Sequence, residues 1–174
     1  MPEPVEIADM KANANDREYV LKQVKENGKL LEFASDELKK DREIALEAVK
    51  NNPEALEFVD DILKEDRQIV YESVSKLGWT YCYAKGKLLE DRELLISGLK
   101  VSGQILYFAT QEMRDDKEVV KLAVENKPII LKYASNRLKN DKEIGLLAMQ
   151  KDKSVFQFLG EDLKQDGDIL ALKG

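Results

Sequence analysis

The sequence predicts an all-α fold, an α-solenoid of stacked helical hairpins, and three observations carry that prediction. Aspartate recurs at Asp16, Asp41, Asp66, Asp91, Asp116, Asp141 and Asp166, a spacing of 25 residues without insertion or deletion. Apolar residues follow each aspartate with helical spacing, and a column of glycine and proline then divides each unit in two. A strict period of this length marks a fold built from one small unit that cannot bury its own apolar face and must stack on its neighbours. Six full units and a partial seventh, "DGDILALKG", then form a helical-repeat domain over residues 16–174.

The elements follow in chain order. Residues 1–15 match the second half of the repeat poorly and read either as a divergent cap or as a flexible arm, with "MPEP" favouring fraying. In each unit the first residue, Asp, suits a helix N-cap, and the Glu nearly always found two residues later places negative charge at the positive end of the helix. Ile44, Ala45 and Val49 illustrate the apolar face of that first helix, with small Ala48, Ser73, Gly98, Ala123 and Ala148 at the eighth column, where neighbours approach. Gln23 breaks that column only in the first unit, as a capping hairpin allows.

The thirteenth column, Gly28, Pro53, Gly78, Gly103, Pro128 and Lys153, marks the turn inside each unit. A second helix is expected after it, burying Leu31, Phe33, Ala34 and Leu38 in one unit and Leu106, Phe108, Ala109 and Met113 in another. Ser35, Thr110 and Ser135 fall midway and are able to cap a separate final turn, so an unbroken helix and an interrupted one both stay open. The partial unit supplies Ile169, Leu170 and Leu172 without a partner helix. An end-to-end homodimer is one way to cover them.

"DREYVLKQVKENGKLLEFASDELKK" and "DKEVVKLAVENKPIILKYASNRLKN" carry a pattern that resembles the tandem repeats known as domain of unknown function 4116. The resemblance extends from Asp16 to about Lys173. It implies repeated helices and interaction roles, and it carries over no catalytic residue. The third unit departs furthest, with Gln68, Ser75 and "YAKGK" where others read Glu, Lys and "FASDE".

Composition narrows the function classes. The 174 residues are 36% charged and 43% hydrophobic, ordinary for a soluble folded chain, and the net charge of −6 argues against a nucleic-acid surface. No apolar run reaches the roughly 18 residues of a membrane helix, and no signal-like leader is visible. No membrane contact is therefore expected. A lone Cys82 forms no internal disulfide and fits a reducing cytoplasm. The absence of histidine removes His-based triads and metal sites, and no glycine stands in a phosphate-loop pattern. Neither an enzyme nor a cofactor is expected.

Two groups of residues stand out against the repeat. Arg17, Arg42, Arg67, Arg92, Lys117 and Lys142 share the second column and form a ladder, which either binds anions or is neutralised by the acids beside each cation. Tyr81 and Tyr83 fall in apolar columns and read as core. Trp79 and Cys82, with Tyr107 and Ile129, instead replace mainly polar residues in the fourteenth and seventeenth columns. Those columns share a helix face, so the four form either a binding patch or additional core covered by curvature or by the N-terminal arm. Cys82 reads as a small apolar filler, with Lys85 the only cation nearby. The leading expectation is a non-enzymatic scaffold that binds protein or peptide along one face. The alternative is a small-molecule or nucleotide module using the aromatic cluster and the ladder.

Overall fold

The computed structural model describes residues 4–174, so of "MPEP", where fraying is expected, only Pro4 lies within the described residues. Every regular element among the described residues is helical. The chain divides into two compact units, Met1–Leu88 and Leu89–Gly174. Each is an all-α, repeat-like arrangement of helix pairs, an α-helix followed by a 3-10 segment.

The first unit contains α1 (Val5–Ala12), α2 (Arg17–Glu26), α3 (Arg42–Asn51) and α4 (Arg67–Val74). The 3-10 segments Gly28–Phe33, Pro53–Glu57 and Gly78–Tyr83 follow α2, α3 and α4. In the second unit α5 (Arg92–Leu99) leads to Gly103–Phe108 and the short α6 (Gln111–Arg114). Then come α7 (Lys117–Asn126), Pro128–Tyr133 and the short α8 (Asn136–Lys139), followed by α9 (Lys142–Lys151), Lys153–Phe158 and α10 (Gly167–Lys173). Within each unit α-helix packs on α-helix, as α2 on α3 and α7 on α9, and 3-10 segment packs on 3-10 segment.

The α-helices start where the aspartates stand because each carboxylate accepts from the free N–H groups of the first turn. Asp41 Oδ1 takes Glu43 N at 3.0 Å and Ile44 N at 3.2 Å, and Asp116 Oδ1 takes Glu118 N at 2.9 Å and Val119 N at 3.1 Å. Such a cap contributes about 1 kcal/mol. Helices α2, α3, α7 and α9 end at residues in extended conformation, and three of these open the next segment: Asn27, Asn52 and Asp152 accept from the N–H two residues on. The buried face of α3 is Ile44, Ala45, Ala48 and Val49, as the spacing predicts.

The second half of each pair is the interrupted alternative. Gly28–Phe33, Gly103–Phe108 and Pro128–Tyr133 each stop at an alanine with extended ψ. A separate turn then begins, capped by Ser35 to Leu38 N at 3.4 Å, Thr110 to Met113 N at 3.3 Å and Ser135 to Leu138 N at 3.2 Å. The 3-10 geometry also corrects the expected core. Residues three apart eclipse in such a helix, so Gly28, Leu31 and Ala34 stack on one buried line, with Leu30 on the adjoining one. Leu30, Ala55, Ile105, Ile130 and Val155 are therefore core, although the 3.6-residue reading passes over them. Phe108, expected inside, is 45% exposed, because its column lies at the open end of the 3-10 segment, one turn beyond Ile105.

Neighbouring pairs are tied by a recurring backbone bond. Ser35 N donates to Ala14 O at 2.9 Å and Asp60 N to Lys39 O at 3.1 Å in the first unit; Ser135 N donates to Arg114 O at 3.0 Å in the second. Ala14, just beyond α1, thus takes the same place as Lys39, and α1 contributes the buried Met10. A second tie uses asparagine: Asn51 Oδ1 accepts from Gly28 N at 2.8 Å while its Nδ2 donates to Lys25 O at 2.9 Å. Asn126 Oδ1 accepts from Gly103 N at 2.9 Å in the same way. These glycines are fixed by proximity and not by backbone angle, since a Cβ on Gly103 would stand 2.7 Å from Ala123 O.

Candidate aromatic groove

In the second unit the segments Gly103–Phe108 and Pro128–Tyr133 lie side by side, each burying one line of side chains and presenting another outward. Tyr107 is 52% exposed. Its ring meets Phe108 edge-on at 5.0 Å and Tyr133 at 4.9 Å, both geometries that aromatic quadrupoles favour. Arg114 of α6 donates from Nη2 to the Tyr107 carbonyl at 2.5 Å and fixes the end of that 3-10 segment. Between the two segments runs a groove of about 350 Å³, with Tyr107, Phe108, Ile129 and Tyr133 among its walls. Lys127 and Lys132 also line it, the Lys132 ammonium lying 4.7 Å from the Tyr133 ring centre.

Tyr107 and Ile129 are thus brought together, whereas Trp79 and Cys82 belong to the first unit and have their own surroundings. Trp79 is 36% exposed and packs edge-on against Tyr83 at 5.7 Å. Tyr81 is fully buried, but Tyr83 is only half-buried. Burial and the nearby Glu57 carboxylate push the Tyr83 phenol up to about 12. Burial, again with Glu57, raises the Cys82 thiol above its ordinary value, which disfavours the nucleophilic thiolate. The expected cation near Cys82 is also corrected. Lys85 is engaged by Asp61 at 2.5 Å, and the positive charge acting on the thiol is Lys64, which donates to Glu57 O at 3.0 Å.

Of the ladder cations, Arg17, Arg42, Arg92, Lys117 and Lys142 reach forward to the next pair instead of to the acids beside them. Arg17 Nε donates to Asp41 Oδ2 at 2.7 Å and its Nη2 to Glu43 Oε2 at 2.6 Å. Arg42 spans Asp66 and Gln68 in the same manner, and Arg92 spans Asp116 and Glu118. Lys117 bridges Asp141 and Glu143, and Lys142 bridges Asp166 and Asp168. Arg67 lies 5.7 Å from the Tyr71 ring. The pairing holds Asp116 below the usual carboxylate range through Arg92, and Glu143 at about 2 through Lys121 and Lys117. For Asp41 burial pushes upward, but Arg17 and the Ile44 N–H outweigh it.

The sequence placed Phe108 and Tyr133 in an apolar column and so not at a surface, whereas Phe108 is exposed and Tyr133 half-buried. Their signal was the three-residue spacing after each glycine or proline. No group of three or more His, Cys, Asp or Glu side chains able to hold a metal occurs among the described residues. No described helix is long and apolar enough to cross a membrane.

Fold and surface together define an all-α helical-repeat domain. The chain belongs to the family described as Domain of unknown function (DUF4116), whose model matches residues 16–64, 66–114 and 116–164. Each match opens on an N-cap aspartate, at every second member of the aspartate series. Comparison with curated proteins and with solved structures gave no match.

Proposed function

We propose that the chain is a non-catalytic α-solenoid scaffold, six full 25-residue hairpins and a partial seventh, that binds a protein or peptide segment along one face. The observation that supports this most is the exposure of Tyr107 beside Phe108 at the edge of a groove. Aromatic side chains half in water and half packed are the usual anchors of protein interfaces. The test is selection of random displayed peptides on the folded chain, repeated on a Tyr107→Ala, Phe108→Ala variant. Enrichment by the parent chain and its loss in the variant support the reading. Equal enrichment by both removes the groove from it.

A small-molecule or nucleotide module is the second reading, favoured by the presence of Lys127 and Lys132 beside stackable rings. Calorimetric titration with ATP separates the two. The scaffold is proposed to act in the cytoplasm, without cofactor and away from nucleic acid and membrane. The proposal extends to an end-to-end homodimer through α10, where Ile169 is buried but Leu170 is exposed. A mass by light scattering that stays monomeric at every concentration sinks that part.

A further inference from the structure

Taking the scaffold reading as given, we infer that the groove selects acidic peptide segments carrying a bulky apolar side chain. The inference rests on charge. The chain holds 34 Asp and Glu residues, yet none lines this groove, while Lys127 and Lys132 both do. Neither lysine is in an ion pair with a described carboxylate, in contrast to Lys117 and Lys121 on the adjoining α7, which are both bound to Glu143. The Lys132 ammonium lies 4.7 Å from the Tyr133 ring centre, a cation–π contact that leaves its charge unmatched by a carboxylate. The groove lining also includes the apolar and aromatic side chains of Tyr107, Phe108 and Ile129.

A ligand that satisfies both features places a Leu, Phe or Trp side chain against the rings and a carboxylate near each ammonium. Basic peptides would meet two like charges at the same rim and are selected against. A nucleotide fits less well: the site has neither a guanidinium nor a glycine of a phosphate-binding loop among its lining residues. Gln104, also on the rim, supplies a carboxamide for a peptide backbone.

The experiment uses three fluorescent dodecapeptides with the full chain, read by anisotropy. The first alternates Glu with Leu and Phe, the second replaces each Glu by Lys, and the third keeps Glu but replaces Leu and Phe by Ala. The first is expected to bind, with the other two weaker by about tenfold or more, equivalent to some 1.4 kcal/mol. A Lys127→Glu, Lys132→Glu variant is expected to lose about tenfold for the first peptide and to gain for the second, with an unchanged melting curve confirming the fold. If the Lys-bearing peptide binds as well as the Glu-bearing one, and both are lost in Tyr107→Ala, the acidic preference is overturned while the scaffold reading stands. If no peptide binds and ATP does, both fall together.

Discussion

Gly28 and Gly167 occupy opposite extremes of tolerance. A Cβ on Gly28 would run into the backbone carbonyl of Ala48, whereas one on Gly167 meets nothing within 4 Å. Gly28→Ala is therefore expected to lower stability by about 1–3 kcal/mol in urea unfolding. Gly167→Ala, inside the first turn of α10, is expected to raise it by about 0.5–1 kcal/mol. The second half of the hairpin supplies a sharper comparison. Leu106→Ala empties a fully buried site and is expected to cost about 2–5 kcal/mol. Phe108→Ala, two positions on, removes a ring already half in water and is expected to cost only about 1 kcal/mol. Trp79, the single tryptophan, is expected to be quenched by iodide in the folded chain, and full shielding would contradict its exposure.

At the scale of the element, one side chain performs two tasks that mutation can separate. Asp116 caps α7 and receives Arg92 from the preceding pair. Asp116→Asn keeps an equally good cap but loses the charge, and Arg92→Met loses the pair alone. Each is expected to shift the urea midpoint only slightly, because the ions are solvent-exposed. Asp116→Ala loses both and is expected to cost about 1–2 kcal/mol. The α-helices were legible in the sequence for this reason: an aspartate start and a 3.6-residue apolar face are both local signals. The 3-10 segments were legible only as some second helix. Their three-residue pitch brings Leu30 and Ile105 inside, in a column that the 3.6-residue spacing passed over, while Phe108, assigned to the core, is exposed at the open end of its segment. The asparagine ties at Asn51 and Asn126 were invisible, since their partners lie one hairpin earlier and no sequence spacing names them. Of the proposed surface, Tyr107 and Ile129 were legible as departures from polar columns, but Tyr133 and the two lysines were not.

For the whole molecule the ladder ties stability to acid. Asp116 and Asp166 are held below the ordinary carboxylate range by Arg92 and Lys142, and Glu143 is held at about 2 by Lys121 and Lys117. Groups with depressed folded values contribute stability that is fully present above the unfolded values near 4 and is lost as pH falls through the folded ones. The urea midpoint is thus expected to stay flat from pH 7 to about 5 and then fall steadily towards pH 2, with Lys117→Met, Lys121→Met falling less steeply. A midpoint that holds through pH 2 would mean that the pairs form equally in the unfolded chain. The forward reach of each cation has a further consequence, in the history of the gene. Every described rung asks the same of its two sides: a Lys or Arg behind, acids or their amide ahead. A copied stretch such as residues 116–140, pasted in tandem after itself, presents Asp116 and Glu118 to the Lys117 of the first copy and keeps its own Lys117 for Asp141. Unequal recombination can therefore lengthen or shorten such a chain in whole hairpins while the ladder pair is kept at each new seam.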